Sequence, residues 1–259
     1  MIAVDDPADP RVAGFGRTDR ELRRAGWFLA EGDLVVERAV EAGCRPVAAL
    51  VDPERVPVVA GRLEVDVFAA GPAIRRAVTH LGVAQPIVAL FERPAPMSAA
   101  RLTANADRVV VVEALDNPAN VGAVVRSAAA LGWDGLLLDR DSADPLARRS
   151  LRVAMGTAFA LPHARTDDIV ATLAELHRLG VVTYGLTPDG AAQDIDALDP
   201  PLRCAVVIGA ERAGLSPAVL GACRQQVRIP LAAGVDSLNA AAAAAIACHV
   251  LRRPASGSS

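Results

Sequence analysis

Short apolar runs alternate with amphipathic segments along most of the chain. Residues 47–51, 87–91 and 108–113 have the length and the β-branched content of buried strands. Segments such as residues 33–42 place their apolar side chains at helical spacing. Strands that alternate with helices are typical of α/β folds built on a parallel sheet, and the sequence therefore predicts an α/β protein.

A proline-containing stretch divides this pattern into two parts. Residues 92–100 carry Pro94 and Pro96 and show no regular apolar period. We therefore expect a small N-terminal α/β domain over residues 1–95 and a larger C-terminal domain over residues 96–259. A chain of 259 residues is long enough for two modest domains.

Composition narrows the class of protein. Hydrophobic residues make up 52% of the chain, yet no run approaches the roughly 18 uninterrupted apolar residues of a membrane helix. The acidic start, Met-Ile-Ala-Val-Asp-Asp, lacks the basic-then-apolar order of a signal peptide. The four cysteines are widely spaced without a Cys-x-x-Cys pair, which favours buried thiols over disulfides or metal ligands. We expect a soluble, cytoplasmic protein with no metal site and no membrane contact.

All 27 basic residues are arginine. The absence of lysine excludes lysine Schiff-base chemistry and a P-loop lysine. A net charge of -3 argues against nucleic-acid binding through general positive charge, so any RNA contact must come from local clusters. Two clusters fit either a solvated surface or contact with RNA phosphates. They are Arg17, Arg20, Arg23 and Arg24, and Arg148, Arg149 and Arg152.

Two predicted strands and one predicted helix near the C-terminus carry turn residues at their ends. An apolar run over residues 204–208 stops at Gly209, which allows a tight turn or a close approach to a ligand. A second run, over residues 226–229, stops at Pro230, which cannot donate to a sheet. Ser237 is the predicted N-cap of the alanine-rich helix that follows. In an open α/β sheet, ligands usually bind where such strand ends meet a helix start.

A second polar cluster follows the strand at residues 108–113. The segment Asp116-Asn-Pro-Ala-Asn120 leads into a predicted helix that ends near residue 131, with Asn120 as its N-cap. The apolar stripe of this helix excludes Arg126, whose side chain can therefore point into a cleft. A surface arginine on an amphipathic helix would show the same pattern.

The order and spacing of these motifs closely resemble the SpoU/TrmH family of SPOUT RNA methyltransferases. The resemblance covers about residues 109–251 and rests on Gly-x-Glu-x-x-Gly-Leu at 209–215, Ile-Pro-Leu at 229–231, Ser-Leu-Asn at 237–239, and Asn120-Val-Gly122 with Arg126. Phe28-Leu-Ala-Glu-Gly32 resembles, more loosely, the opening of an L30e-like domain. The resemblance implies a C-terminal SPOUT-type parallel sheet with a trefoil knot, a preceding L30e-like domain that binds the RNA substrate, and a homodimer formed through the C-terminal domain.

The resemblance also implies a cofactor and a site. The cofactor would be S-adenosylmethionine, and the family's usual acceptor is a ribose 2′-OH. Because arginine rarely releases its proton, we expect Arg126 to orient the hydroxyl and the neighbouring phosphate and to stabilise developing negative charge. The residues that match the family's cofactor site are Gly209, Ile229, Pro230, Leu231 and Leu238. Those that match its catalytic set are Asn120, Arg126, Glu211, Ser237 and Asn239.

Several questions stay open at this point. Ribosomal RNA is the preferred substrate, because a separate N-terminal domain suits recognition of a folded loop by shape. Transfer RNA and base methylation are alternatives, and either subunit of a dimer could supply Arg126 to a given pocket. Arg212 stands where relatives often carry a small residue, and the helix after Asn239 begins with six alanines where relatives often carry Val-Ser-Val.

Two other functions compete with the enzyme. A non-catalytic RNA-binding or ribosome-assembly protein could share the fold, but the chain has kept all the polar residues of the catalytic set. A Rossmann-type oxidoreductase would need a Gly-x-Gly-x-x-Gly motif after an early strand, and the sequence has none there. The predicted function is therefore methyl transfer to RNA.

Overall fold

The computed structural model describes residues 1–80 and 82–253. The predicted domain 96–259 thus extends past the described residues at its C-terminal end. The described chain forms two compact units. The first contains Met1–Ala95 and also Leu146–Phe159, and the second contains Pro96–Pro145 and the chain from Ala160 onward.

Strands and helices alternate along the described residues, as the sequence predicts for an α/β fold. The strands are β1 (Ile2–Ala3), β2 (Trp27–Glu31), β3 (Pro46–Val51), β4 (Val67–Ala69), β5 (Ile87–Glu92), β6 (Met97–Ser98), β7 (Arg108–Val112), β8 (Gly135–Leu138), β9 (His163–Arg165), β10 (Val182–Leu186), β11 (Gln193–Asp194), β12 (Cys204–Ile208) and β13 (Gln225–Arg228). The α-helices are α1 (Asp19–Arg24), α2 (Asp33–Glu41), α3 (Pro72–Thr79), α4 (Ala99–Asn105), α5 (Pro118–Ala130), α6 (Arg148–Val153), α7 (Ile169–Arg178), α8 (Pro217–Ala222) and α9 (Ala240–Val250).

The first unit is built on a five-stranded sheet in the order β1-β4-β3-β5-β2. Strand β5 runs antiparallel to β2 and β3, whereas the other pairs are parallel. Phe15, Leu29, Leu50 and Val88 are almost fully buried in its core. The sheet therefore has its own hydrophobic core, as an independent domain requires.

Helix α6 packs with this first unit, although the sequence analysis assigned its residues to the C-terminal domain. The buried carboxylate of Glu31 accepts hydrogen bonds from Arg148 Nε at 2.7 Å and from Arg152 Nη1 at 3.3 Å. Arg148 also donates to the carbonyl oxygen of Thr79 at 3.0 Å. A buried carboxylate needs such partners, because desolvation without them is costly. Arg148 therefore has a structural role, whereas Arg149 is exposed.

The second unit is built on an eight-stranded sheet in the order β11-β13-β10-β12-β7-β8-β9-β6. Every pair in this sheet is parallel. Its central strands β7, β8 and β12 are buried along their whole length. Helices cover both faces of such a sheet, which explains why these strands are continuous apolar runs in the sequence. The predicted parallel sheet is confirmed.

The last helix, α9, is fixed to this sheet at its C-terminal end. The guanidinium of the buried Arg108 donates to the carbonyl oxygens of Leu251 and Pro201 and, at 2.8 Å, to Cys204 Sγ. Burial raises the pKa of the Cys204 thiol, so the acceptors of this guanidinium are uncharged. The indole Nε1 of Trp133 donates to the carbonyl oxygen of Cys248 at 3.0 Å. These bonds satisfy helix-end carbonyls that would otherwise be buried without partners.

No helix within residues 1–80 and 82–253 has the length and apolar character needed to cross a membrane.

Candidate functional site

A pocket of about 380 Å³ lies at the carboxyl edge of the second unit's sheet. Its volume falls within the range of roughly 300–1,000 Å³ that is usual for small-molecule sites. The walls come from segments that follow three neighbouring strands and precede the last helix. They are residues 186–188 from the last residue of β10, residues 208–215 from the last residue of β12, Ile229 and Leu231 after β13, and residues 236–238 before α9, with Leu220, Ala240 and Ala243.

The loop over residues 209–215 is closed at its base by direct contact between backbone atoms. A β-carbon added to Gly209 would lie 2.1 Å from the carbonyl carbon of Gly214 and 2.2 Å from the nitrogen of Leu215. Gly214 N donates to the carbonyl oxygen of Ala210 at 2.9 Å and has a φ of +66°. Only glycine fits at the first position, and glycine is strongly favoured at the second. The tip of the loop, residues 211–213, is exposed.

The pocket wall before α9 ends in a hydrogen-bonded pair of asparagines. Asn239 caps α9, because its Oδ1 accepts from the backbone nitrogens of Ala241 at 2.9 Å and Ala242 at 3.3 Å. Its Nδ2 donates to Asn120 Oδ1 at 3.3 Å. The predicted cap at Ser237 is thus wrong, and Ser237 lines the pocket instead.

Asn120 lies in the first turn of α5 rather than at its cap. The cap is Asn117, whose Oδ1 accepts from Ala119 N at 3.0 Å, and Pro118 occupies the first helical position. The prediction of Asn120 as the N-cap is therefore wrong. Its side chain is buried, and its Nδ2 has no hydrogen-bond partner among the described residues. A buried amide donor without a partner is unusual in folded proteins, so this Nδ2 is available to a group from outside the chain.

Arg126 is exposed on α5, six residues after Asn120. Six residues correspond to about 9 Å along a helix axis. Within the described part of the chain, its guanidinium makes neither a hydrogen bond nor an ion pair, and Arg126 is absent from the pocket lining. Pro230 is also absent from that lining, although it lies between two residues that belong to it.

The structure thus brings together most of the predicted site residues. Six of them line the pocket, namely Gly209, Glu211, Ile229, Leu231, Ser237 and Leu238. Asn239 adjoins the wall, and its hydrogen bond to Asn120 links Asn120 to the pocket. Arg126 and Pro230 stand apart from the lining.

Sequence reasoning missed the wall contributed by Leu186, Thr187 and Pro188. Thr187 and Pro188 begin a polar segment with prolines and aspartates, which is typical of a loop. Strand β10 pairs with both β12 and β13, so its carboxyl end must open into the same pocket. An apolar run ending in Leu-Thr-Pro was the available signal, but only the strand order places it beside the other two ends.

The pocket combines apolar walls with charge near its exposed loop. The charged residues of the lining are Glu211, Arg212 and Asp236, and all three are exposed. Within the described ranges, no group of three or more His, Cys, Asp or Glu side chains could hold a metal ion. The apolar residues of the lining suit an organic ligand with an apolar ring.

Comparison with known proteins gives one family and several full-length relatives. The model of the SpoU rRNA Methylase family matches residues 107–249, more than half of the chain. An uncharacterized tRNA/rRNA methyltransferase of Mycobacterium tuberculosis is 34% identical, over 95% of this chain and 90% of its own length. RlmP of Bacillus subtilis, a 23S rRNA (guanosine(2553)-2′-O)-methyltransferase, is 30% identical over 91% of this chain and 92% of its own.

Solved structures agree with these relatives. The SpoU methyltransferase AviRb from Streptomyces viridochromogenes, in complex with the cofactor AdoMet, superposes with a TM-score of 0.79 and 27% identity, covering 93% of this chain and 95% of its own. An RNA 2′-O ribose methyltransferase superposes with a TM-score of 0.82 and 25% identity, covering 96% of this chain and 98% of its own.

The closed base of the 209–215 loop predicts a sharp difference between two glycine substitutions. Gly209→Ala should lower the free energy of unfolding by about 2 kcal/mol or more, because the added methyl overlaps backbone that cannot move alone. Gly221→Ala is the matched control, since its β-carbon would meet nothing within 4 Å and a helical alanine stabilises by about 0.5–1 kcal/mol. Urea unfolding measures both changes. Equal stability of the two variants would contradict the closed loop.

Proposed function

The chain belongs to the SpoU rRNA Methylase family, and from this premise we propose that it methylates the ribose 2′-OH of a nucleotide in ribosomal RNA, with S-adenosylmethionine as the methyl donor. The observation that supports the proposal is the hydrogen bond between Asn239, which follows the pocket-lining residue Leu238, and Asn120 on α5. The similarity to a 23S rRNA 2′-O-methyltransferase over 91% of the chain supports ribosomal RNA and the ribose as targets.

The pocket suits S-adenosylmethionine on the chemistry of its lining. Apolar side chains such as Ile229 and Leu238 would enclose the adenine ring, and backbone groups at Gly209 can approach closely because that residue lacks a β-carbon. Glu211 and Asp236 supply negative charge for a ligand with a sulfonium and an ammonium group. The cofactor, when bound, supplies a methyl group that is already activated by the sulfonium.

The chain's own residues then have the task of binding and orientation. Holding the acceptor hydroxyl in line with the methyl group removes most of the entropic cost of the reaction. In this proposal Asn120 holds the ribose through its Nδ2, which has no partner within the described ranges, and Asn239 fixes Asn120. Arg126, exposed and without a partner among residues 1–80 and 82–253, contacts the hydroxyl and the adjacent phosphate and stabilises the developing oxyanion. The proton leaves to solvent, because arginine does not act as a base near neutral pH.

The first unit is proposed to be an L30e-like domain that recognises the RNA. Its surface carries exposed arginines at positions 20, 23, 24 and 149, which can bind phosphates in bidentate geometry. We extend the proposal to the trefoil knot of the family in the second unit. The division at residue 95 and a location in the cytoplasm stay predictions.

We also propose a homodimer formed through the second unit. Helices α5 and α9 pack against each other, and both expose small residues, Ala130 on α5 and Ala242 on α9. Ile246 on α9 is 37% exposed, although its side chain is large and apolar. Small side chains allow close approach of helices, so this face fits a second copy of the chain. Such a dimer would bring Arg126 of one subunit toward the pocket of the other.

The function can be tested with RNA transcribed in vitro, which lacks all modification. We expect calorimetry to show saturable binding of S-adenosylmethionine, and we expect methyl-labelled cofactor to label ribosomal RNA at one nucleotide, identified by mass spectrometry. A 2′-O-methyl group blocks alkaline cleavage at that position, so the label should remain in an alkali-resistant dinucleotide. Label in transfer RNA alone would contradict ribosomal RNA as the substrate, and label on a base would contradict ribose methylation. Absence of cofactor binding would overturn the proposed enzymatic function.

Arg126→Ala separates catalysis from cofactor binding. We expect at least a hundredfold loss of methylation rate, because removal of a charged group from a developing oxyanion usually costs about that much. The dissociation constant for S-adenosylmethionine should stay within a few-fold of the wild-type value, since Arg126 is absent from the pocket lining. Arg101→Ala, an exposed arginine on α4, is the control and should leave both quantities unchanged. Parallel loss of cofactor affinity and rate in Arg126→Ala would give Arg126 a structural role.

Ile246→Glu tests the proposed dimer. A buried carboxylate at an apolar interface is strongly disfavoured, so light scattering after size exclusion should show a monomer for this variant and a dimer for the wild type. Val170→Glu is the matched control, because Val170 on α7 is 39% exposed and also apolar. A wild-type monomer, or a dimer that survives Ile246→Glu, would argue against this interface.

A further inference from the structure

Glu113 is the first residue after β7, and it contacts both residues that flank the pocket loop. Its backbone nitrogen donates to the carbonyl oxygen of Ile208, the residue before the loop, at 2.9 Å. Its carboxylate accepts from the backbone nitrogen of Ser216, the residue after the loop, at 2.8 Å and from the Ser216 hydroxyl at 2.7 Å. One residue therefore binds the chain on either side of residues 209–215.

Ser216 also links Glu113 to the start of the next helix, α8. Its Oγ donates to Glu113 and accepts from Val219 N at 3.3 Å, which makes Ser216 the N-cap of α8. Hydrogen bonds to a carboxylate are stronger than those between neutral groups, and the negative charge is favourable at a helix N-terminus. The exit of the loop is thus held by three hydrogen bonds, which join the Glu113 carboxylate, the Ser216 hydroxyl and the backbone amides of Ser216 and Val219.

The same residue begins the connection to the other half of the site. Ala114, the next residue, has a φ of +52° that is uncommon for a residue other than glycine, and its nitrogen donates to Asp139 Oδ2 at 2.9 Å. The chain then reaches the cap at Asn117 and the buried Asn120. A shift of Glu113 would therefore move the pocket loop and the start of α5 together.

We propose that Glu113 is a positioning residue for the methyl donor: it holds the loop over residues 209–215 in the shape that the cofactor binds, without touching the cofactor itself. Glu113 is absent from the pocket lining, so its effect must act through Ile208 and Ser216. The inference rests on the proposed use of this pocket for S-adenosylmethionine. It assigns a role to a carboxylate that the sequence motifs do not include.

The test compares Glu113→Ala, Glu113→Gln and the wild type by calorimetry with S-adenosylmethionine and by steady-state kinetics. In Glu113→Ala we expect the dissociation constant and KM for the cofactor to rise about tenfold. This is the low end of the cost of losing hydrogen bonds to a charged group. The value of kcat at saturating cofactor should change less than threefold. Glu113→Gln should recover most of the affinity, because its amide oxygen can still accept from Ser216 N. Glu175→Ala removes a surface carboxylate on α7 and is the control.

Hydrogen exchange separates this inference from the proposed function. Without any cofactor, amides over residues 209–216 should exchange faster in Glu113→Ala than in the wild type, while those of β8 stay protected. A wild type that binds no cofactor would overturn the proposed function, yet the exchange rates would still decide whether Glu113 holds the loop. If Glu113→Ala does not fold, Ser216→Ala takes its place, with a several-fold loss of affinity expected. Unchanged affinity and unchanged exchange in a folded variant would overturn the proposal.

Discussion

The site depends on a backbone contact that leaves no room for a side chain. Gly209 lies against Gly214 and Leu215 at separations that a β-carbon would occupy, so the loop after β12 closes at its base and presents its tip to solvent. Strand β12 pairs with β7 up to Ile208 and Val112, so the contact forms where the sheet ends. The pocket therefore forms where the paired strands end. Strand β12 ends at Ile208, the chain turns at Gly209, and the ends of the neighbouring strands supply the remaining walls.

Contacts at the opposite edge of the sheet also restrict the pocket, because α9 runs from the pocket to that edge. Its N-terminal cap, Asn239, adjoins the pocket wall, and its C-terminal carbonyls are bound by Arg108 and Trp133. A helix held at both ends cannot slide along its axis without breaking these bonds. The Asn239 to Asn120 hydrogen bond then transfers this fixed position to α5. Packing at the base of the sheet thus restricts the geometry at its functional edge.

Residues that act on their own neighbours in the chain predicted most of the site. Contacts between residues far apart in the sequence could not be predicted from it. Gly209 after one strand and Pro230 after the next were visible as turns; Gly209 lines the pocket, and Pro230 lies between Ile229 and Leu231, which do. The caps were misplaced because Asn117 and Asn120, like Ser237 and Asn239, are equally good cap residues, and only Pro118 at the first helical position favours Asn117. The packing of α6 with the first unit was invisible, since it depends on Glu31, more than a hundred residues away.

Arginine content was a poor guide to RNA contact in this chain because arginine has two uses in it. Arg108 and Arg75 are buried, and their guanidinium groups donate to backbone carbonyls that have few alternatives. Arg148 is likewise engaged with Glu31 and Thr79. A planar group with five donors can satisfy several carbonyls at once, which lysine cannot do in the same geometry. The arginines that remain for an external phosphate are those, such as Arg126, whose donors have no partner in the part of the chain that the structure describes. Contact with RNA is therefore better judged from unused donors than from the number of positive charges.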